Sequence, residues 1–467
     1  MNQHFVNREN ELKFLEENYR RKESSLIIIY GRRRIGKTEL IKQFIKDKKA
    51  IYYLCERTSI QSNIEKLKEK FAEELNEDWL KKVEIKDFES LFKSIEGKLK
   101  EKIVIVLDEF QYLIEIDKGV LSQFQKIWDE ILSKKNVMLI LCGSSIGMME
   151  NEVLGYKSPL YGRRTSQWKV TELEIKYLKE FLPGYDFENI LYVYSAVGGI
   201  PFYLLKFDSS KDFFENIKEQ FLWKGGFFYE EAENLLRQEF REPRNYMLIL
   251  RAIAEGKRKL GEISNETGLD KSAVSRYIEI LENLKIVEYE LPVTESEKSK
   301  KRLYYISDNY FNFWFKFVYP NKSLIEEGET SKVLEKIKQE FPLYFSNVFE
   351  RICKKVILKT FNFTKIGKQR GKIPKAPKGM NEYEIDIVAL NEKSKEILFA
   401  ECKWKEKVDA KKIISELIEK SSFVNWYNKE RKEFFAIFAK SFKEKIEEFE
   451  NKKVYCFDLK DIERIIG

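Results

Sequence analysis

Histidine is almost absent from this chain: His4 is the only one in 467 residues. Ser-His-Asp and Cys-His catalysis and histidine-held metals are therefore excluded, because each needs an imidazole beside the reacting atoms. The five cysteines (Cys55, Cys142, Cys353, Cys402, Cys456) contain no CxxC pair, which argues against a zinc cluster or a disulfide framework. Cys142 and Cys402 lie in apolar, strand-like runs and read as small buried hydrophobes. Any metal must then be held by oxygen, which points to Mg²⁺ or Mn²⁺. No apolar run approaches the roughly 20 residues of a membrane span. The opening "MNQHFVNREN" carries charge from its eighth residue and lacks the apolar core of a signal peptide, so a cytoplasmic protein away from membranes is expected.

The charge that is present is mixed. Lys+Arg 85 against Asp+Glu 77 gives +8, spread along the chain, which permits nucleic-acid binding without demanding it. The length implies about three domains at roughly 150 residues each.

Ser25 to Tyr30, "SLIIIY", suits a buried parallel strand and runs directly into "GRRRIGKTEL". Gly31, Gly36, Lys37 and Thr38 match G-x-x-x-x-G-K-[ST], followed by a helix with Leu40, Ile41, Phe44 and Ile45 on one face. In such a loop the glycines let backbone amides wrap phosphates, the lysine meets the β/γ charge and the threonine offers its hydroxyl to Mg²⁺. A second run, "KIVIVL", ends in Asp108-Glu109, the placement of an acid pair that holds magnesium (Asp108) and orients the attacking water (Glu109). A third strand, "NVMLILCGSS", ends in Ser144 and Ser145, where a polar side chain can sense the γ-phosphate. Helical patterns between these strands supply the crossovers of a parallel sheet.

With "FVNRENEL", "GRRRIGKT", "VLDEF", "SPLYGRR" and "GGIPFYL", the chain resembles archaeal ATPases of the STAND branch of AAA+-like P-loop proteins. The resemblance implies that Arg8 and Glu9 lie near the nucleotide base or hinge. It also implies that Arg163 or Arg164 approaches the γ-phosphate, and that Gly199 and Pro201 form a GxP element reporting the nucleotide state. A solvated turn for the arginines, and a plain tight turn for "GGIP", remain open alternatives.

Residues from about 171 to 240 read as an aromatic-rich helical lid. From Tyr246, a helix carrying Leu248, Ile249 and Ile253, a turn at Gly268, a second helix from Lys271 and a strand-like wing read as a winged helix-turn-helix. Either Lys271, Ser272, Ser275 and Arg276 face a DNA groove, or the unit docks as a regulatory arm, the reading favoured by the resemblance. The nine aromatics of Tyr304 to Tyr319 are expected to be buried.

Toward the C-terminus, Phe345 to Leu358 reads as a helix carrying Glu350 and is followed by a basic loop, residues 365–378. A hairpin of "YEIDIVAL" and "ILFAECKWK" comes next, then a helix, a strand, another helix and a last strand. Alternation puts Glu384 and Asp386 opposite Ile385 and Ile387, and sets Glu401 and Lys403 inside an otherwise apolar strand. This order resembles the PD-(D/E)xK nuclease fold. The resemblance implies Asp386 and Glu401 as metal ligands, with Glu350 or Glu384 as a further one, and Lys403 beside the attacking water. A solvated ion pair on a wet hairpin face is the alternative.

The expected architecture is therefore α/β: a P-loop parallel-sheet ATPase core (1–170), a helical lid (171–240), a winged helix (241–300), an aromatic-rich connector (301–344) and a restriction-endonuclease-like domain (345–467). The expected function is an ATP-binding and hydrolysing switch, using ATP and Mg²⁺ with Mn²⁺ as an alternative at the C-terminal site. It would be coupled to a nucleic-acid-associated output domain, a metal-dependent nuclease or else a non-nucleolytic regulator or scaffold. DNA would be contacted through the winged helix and the loop 365–378, and a homo-oligomer stays open.

Overall fold

The computed structural model describes residues 5–240, 242–377 and 381–467. His4, the winged-helix boundary at Arg241 and the end of the basic stretch at Lys378 lie outside them. The chain divides into two compact units, one of residues 1–173 with 200–203, the other of 174–199 with 204–467. Ile200–Tyr203 thus belongs to the first unit, while the residues before and after it belong to the second.

The first unit is built on a parallel sheet of β1 (Ser25–Tyr30), β2 (Ala50–Leu54), β3 (Ile103–Asp108), β4 (Val137–Gly143) and β5 (Ser166–Lys169), in the order β2-β3-β4-β1-β5. Every residue of β1, β3 and β4 is buried, as apolar runs covered on both faces by crossover helices should be. β1 lies inside the sheet between β4 and β5, so the loop that follows it emerges among neighbouring strand ends.

In the second unit the winged helix has three helices, Pro243–Ala254, Leu260–Thr267 and Lys271–Asn283, one more than the sequence pattern suggested. Gly268 closes the middle helix at φ 71, a conformation glycine adopts without strain. The wing pairs β6 (Val287–Glu290) with β7 (Leu303–Ile306), so it runs past the expected boundary at residue 300. Tyr310, Phe311, Phe313, Trp314, Phe315 and Phe317 are all buried. One helix, Thr330–Thr360, spans the expected boundary at residue 345.

The C-terminal sheet has six strands. It runs from Glu448–Phe449 through Lys452–Phe457 and Lys432–Ala439 to β10 (Glu396–Lys403), β9 (Glu382–Asn391) and β8 (Lys365–Lys372) at the outer edge. Two expectations are corrected here. Most of the basic stretch is not a loop: residues 365–372 form β8, because Lys365, Ile366 and Gly367, and then Gln369 to Lys372, find partners along β9. The helix expected between the last strands is absent: Phe442–Glu444 pairs with Val408–Asp409, and Glu448–Phe449 turns back on Lys452 through Glu450 and Asn451, both in left-handed backbone (φ 50 and 58).

Candidate functional site

The loop after β1 has the two glycines its geometry demands. A Cβ on Gly31 would stand 2.4 Å from the Val170 carbonyl oxygen, and Gly36 caps the helix Lys37–Ile45 at φ 93. Lys37 lies across the loop, its Nζ donating to the carbonyls of Gly31 (2.8 Å) and Arg32 (3.0 Å). Burial lowers its pKa, against the pull of Glu109 and Asp108. Thr38 Oγ1 donates to Asp108 Oδ2 at 2.7 Å, so the hydroxyl and the carboxylate that would face a magnesium ion already meet. This donor set fits Mg²⁺-nucleotide: backbone amides at a helix start for phosphate, an amine for charge, hydroxyl and carboxylate oxygens for the metal.

Sequence reading missed two partners. Tyr52, on β2, donates its phenol to the same Asp108 oxygen at 2.7 Å. Burial first, then the Asp108 charge, drives that phenol well above its usual range, which keeps it a donor. Gln111 bridges Glu109 and Ser144: it donates to the Glu109 carboxylate and to Ser144 Oγ (3.1 Å), while Ser144 Oγ donates to Glu109 at 2.5 Å. Glu109 sits in left-handed backbone (φ 54), conformational strain of a kind that clusters at functional sites. Gln111 is only two residues past Glu109, a signal that was available; Tyr52 joins the site through strand pairing alone.

Arg8 is buried, with Nη1 on Glu11 (3.0 Å) and Nη2 donating to the Ile35 carbonyl (2.9 Å), which places it against the phosphate loop. Pro201 also reaches the loop, its Cγ 4.0 Å from where a Gly36 Cβ would stand. Arg163 is held in an ion pair. Its guanidinium grips Asp129 in a partly exposed pair (3.0 to 3.2 Å), because that carboxylate offers a bidentate partner on the adjoining helical segment. Arg164 donates to the Leu154 carbonyl and acts electrostatically on Tyr30, the last residue of β1.

In the second unit, β9 and β10 bring Asp386, Glu401 and Lys403 together. Between Gly367 and Gln369 of β8 lies one residue, but between their partners Val388 and Ile385 on β9 lie two, Asp386 and Ile387. This bulge corrects the expected alternation, since Ile385 shares its core cluster with Val388 and Leu390, not with Ile387. It re-aims Asp386, whose Oδ2 accepts from the Cys402 amide at 2.8 Å, beyond the last paired residues Ile387 and Ala400.

Glu401 is 3% exposed and would be costly alone. Two lysines neutralise it: Lys403 Nζ on Oε2 and Lys420 Nζ on Oε1, both at 2.6 Å. Burial pushes this carboxyl up, but the charges and hydrogen bonds of Lys403 and Lys420 outweigh it and hold the pKa below the usual range. Asp386 moves the other way, to about 7, through burial first and then its carboxylate neighbours Glu401 and Glu350, with Lys403 at 3.8 Å giving partial relief. Burial and the neighbouring carboxylates thus disfavour the ionised form of Asp386, a penalty that a divalent cation would relieve, and Asp386 with Glu401 would supply oxygen donors for one. Glu350 is committed elsewhere, its carboxylate 2.8 Å from Lys368, which also holds Glu384 at 3.0 Å. Among the described residues no three His, Cys, Asp or Glu side chains are grouped as a metal cage. Lys420 carried no signal in the sequence, because it comes from a separate helix, and Lys368 was marked only as part of the basic stretch 365–378, its pairing with Glu350 and Glu384 depending on the outer strand.

On the helix-turn-helix, Lys271, Ser272, Ser275 and Arg276 are all exposed on the helix Lys271–Asn283, whose start is capped by Asp270 accepting from the Ala273 amide (2.9 Å).

Three family models match parts of the chain. A family model described as an ATPase domain predominantly from Archaea matches residues 5–207, and one for bacterial regulatory proteins of the arsR family matches 247–289. A third, for archaeal and bacterial proteins of unknown function, matches 314–413. The uncharacterized protein MJECL04 of Methanocaldococcus jannaschii is 38% identical, covering 98% of this chain and 99% of the relative. The uncharacterized ATP-binding protein MJ0423 of the same organism is 58% identical over 10% of this chain and 76% of its own. Among solved structures, the Aeropyrum pernix ORC2 protein (ADPNP-ADP complexes) is similar at a TM-score of 0.45 and 13% identity, covering 70% of this chain and 97% of that one. The Pyrococcus horikoshii STAND protein PH0952 is similar at a TM-score of 0.29 and 16% identity, covering 76% and 50%. The chain belongs to the family of archaeal P-loop ATPases that carry a winged helix and, after it, the domain of unknown function, with the M. jannaschii protein as a full-length relative.

Proposed function

We propose that this protein is an ATP-driven regulator that acts on DNA through its second unit. The observation that carries the reading is the meeting of Thr38, Asp108 and Tyr52 on one carboxylate oxygen beside a phosphate loop near which Pro201 lies. Lys37, with Gly31 and Gly36, would hold the phosphates; Thr38 and Asp108 would hold Mg²⁺; Glu109, kept in place by Ser144 and Gln111, would orient water. Bound Mg²⁺ supplies charge neutralisation at the phosphates. Pro201 belongs to a four-residue segment packed with the first unit and continuous at both ends with the second. A change in the loop on nucleotide binding is thus transmitted along the chain to the unit that holds the winged helix. Arg8 would fix the loop through Ile35, and Arg163, tied to Asp129, is assigned no part in hydrolysis within its own chain.

The test is ATP turnover and duplex-DNA affinity of the purified chain with ADP or a non-hydrolysable ATP analogue, beside Lys37→Ala. Turnover lost in the variant, with DNA affinity that differs between nucleotides in the wild type only, is the expected result. Equal DNA affinity in all nucleotide states defeats the coupling.

A second reading, a metal-dependent nuclease in the C-terminal domain, is favoured by one observation: the bulge that brings Asp386 beside Glu401 and Lys403. It predicts Mg²⁺- or Mn²⁺-dependent cleavage that Asp386→Ala abolishes while ATP turnover persists, and it fails if no cutting of DNA or RNA occurs in any nucleotide state.

A further inference from the structure

We propose that the cleft between the wing and the outer strand β8 binds the sugar-phosphate backbone of duplex DNA, in continuity with the helix-turn-helix. The proposal rests on the DNA reading above and assigns it a second, composite contact surface.

The cleft has a volume of about 890 Å³, and its walls carry Lys259, Lys300, Lys301, Arg302, Arg370 and Lys372 against two carboxylates, Glu382 and Glu384. Of those two, Glu384 lies 3.0 Å from Lys368, a lysine it shares with Glu350. Lys301 is paired with Glu295 (2.5 Å) and Lys259 with Glu262 (3.4 Å), which leaves Lys300, Arg302, Arg370 and Lys372 outside any ion pair among the described residues. That excess over the two acids matches a polyanion, and phosphate contacts supply most of the sequence-independent affinity for DNA.

The two walls are held in place before any ligand arrives. The Val293 amide donates to the Lys368 carbonyl (3.0 Å), and Thr294 donates through its amide and hydroxyl to Gln369 Oε1 (3.3 and 3.2 Å). Lys365 Nζ reaches the Glu295 carbonyl (3.1 Å), and Arg370 Nη2 the Lys301 carbonyl (2.9 Å). Val293 itself is 2% exposed within the core of the C-terminal sheet, packed with Ile385, Phe399 and their neighbours. The wing is therefore anchored to the sheet by backbone and core contacts, and binding a backbone here pays little to order the lysines' supporting frame. Burial also depresses the Arg370 pKa, a desolvation that an anion would offset.

The lining favours duplex over single strand. Among the described lining residues the only aromatic is Tyr383, which is buried and donates its hydroxyl to the Phe423 carbonyl, so the cleft offers no open ring on which bases could stack. The cleft also leads toward the recognition helix: Lys271 Nζ lies 4.0 Å from where a Gly261 Cβ would stand, two residues from Lys259 on the cleft wall. A duplex engaged by Lys271–Asn283 would thus lay its flanking phosphates against the wing and β8.

The experiment is fluorescence anisotropy of a labelled 20-base-pair duplex with the full-length chain across a salt series. It compares wild type, Lys300→Ala/Lys372→Ala in the cleft, and a charge-matched control, Lys332→Ala/Lys338→Ala on the outer face of Thr330–Thr360. The cleft variant should bind about 10- to 60-fold more weakly near 0.1 M salt and flatten the log affinity against log salt slope by about 1.8, at about 0.9 per lost phosphate contact. The control should change neither by more than about half as much. Equal behaviour of the two variants, with wild-type duplex binding intact, overturns the cleft and leaves the DNA reading standing. Absence of duplex binding by the wild type in every nucleotide state overturns both, and tighter binding of single strands overturns the duplex assignment.

Discussion

Replacing Lys368 by methionine removes the only cation within ion-pair distance of Glu350 among the described residues, and the consequence follows from the geometry. Lys368 Nζ stands 2.8 Å from Glu350 and 3.0 Å from Glu384, with the Lys368 and Glu350 side chains 11% and 17% exposed. At an effective dielectric near 20, the attraction to Glu350 is about 6 kcal/mol before the desolvation of both ions is subtracted. Breaking such a buried pair from one side costs about 3–5 kcal/mol. Burial already raises the Glu350 pKa, and losing the lysine charge raises it further. A carboxyl whose folded pKa lies above its unfolded value loses stability as pH rises between the two, so the deficit of Lys368→Met should be larger at pH 8 than at pH 5. Adding Glu350→Gln should recover about 2–3 kcal/mol at pH 8, because an amide needs no counter-ion. Urea unfolding followed by amide exchange in β8 and β9 reads the deficit in the unit concerned. A single-variant deficit below about 1 kcal/mol, no growth with pH, or no recovery in the double variant refutes the argument.

Asp386→Asn should stabilise the second unit at pH 8 in EDTA by about 2–4 kcal/mol, since moving a pKa from 3.8 to about 7 penalises the ionised form; the gain should vanish near pH 4, and thermal melts at the two pH values check it. Gly31→Ala drives a Cβ into the Val170 carbonyl and should abolish measurable nucleotide binding by calorimetry while the second unit's melt is unchanged. Tyr52→Phe removes one of two hydroxyl donors to Asp108 and should cost the first unit about 1–3 kcal/mol, seen as a lower urea midpoint. Arg163→Ala should leave steady-state ATP turnover within about twofold, because the exposed Asp129 pair it breaks is worth about 1 kcal/mol or less.

Local chemistry made the phosphate site legible in advance. A buried β-branched run, glycines at fixed offsets and an amphipathic helix are neighbours along the chain, so β1, the loop and Lys37 follow from contiguous residues. The same holds for the acid pair at the end of β3, the helix-turn-helix with Gly268 at its turn, and the β9–β10 hairpin. Other features depend on which strand or helix lies alongside, and no window of sequence contains that. Tyr52 meets Asp108 because β2 pairs with β3; Lys420 meets Glu401 because a crossover helix covers β10; the basic stretch 365–372 became a strand because β9 had an open edge. The bulge that turns Asp386 toward Cys402, and the insertion of Val293 into the C-terminal core, are likewise products of register and packing between segments distant along the chain. Sequence patterns thus specified which residues carry charge and hydroxyl and where glycines turn the chain, but not the left-handed residues Glu109, Glu450 and Asn451. Tertiary contacts chose the counter-ions, because a buried charge is satisfied by whatever lies within about 3 Å of it, however far away along the chain.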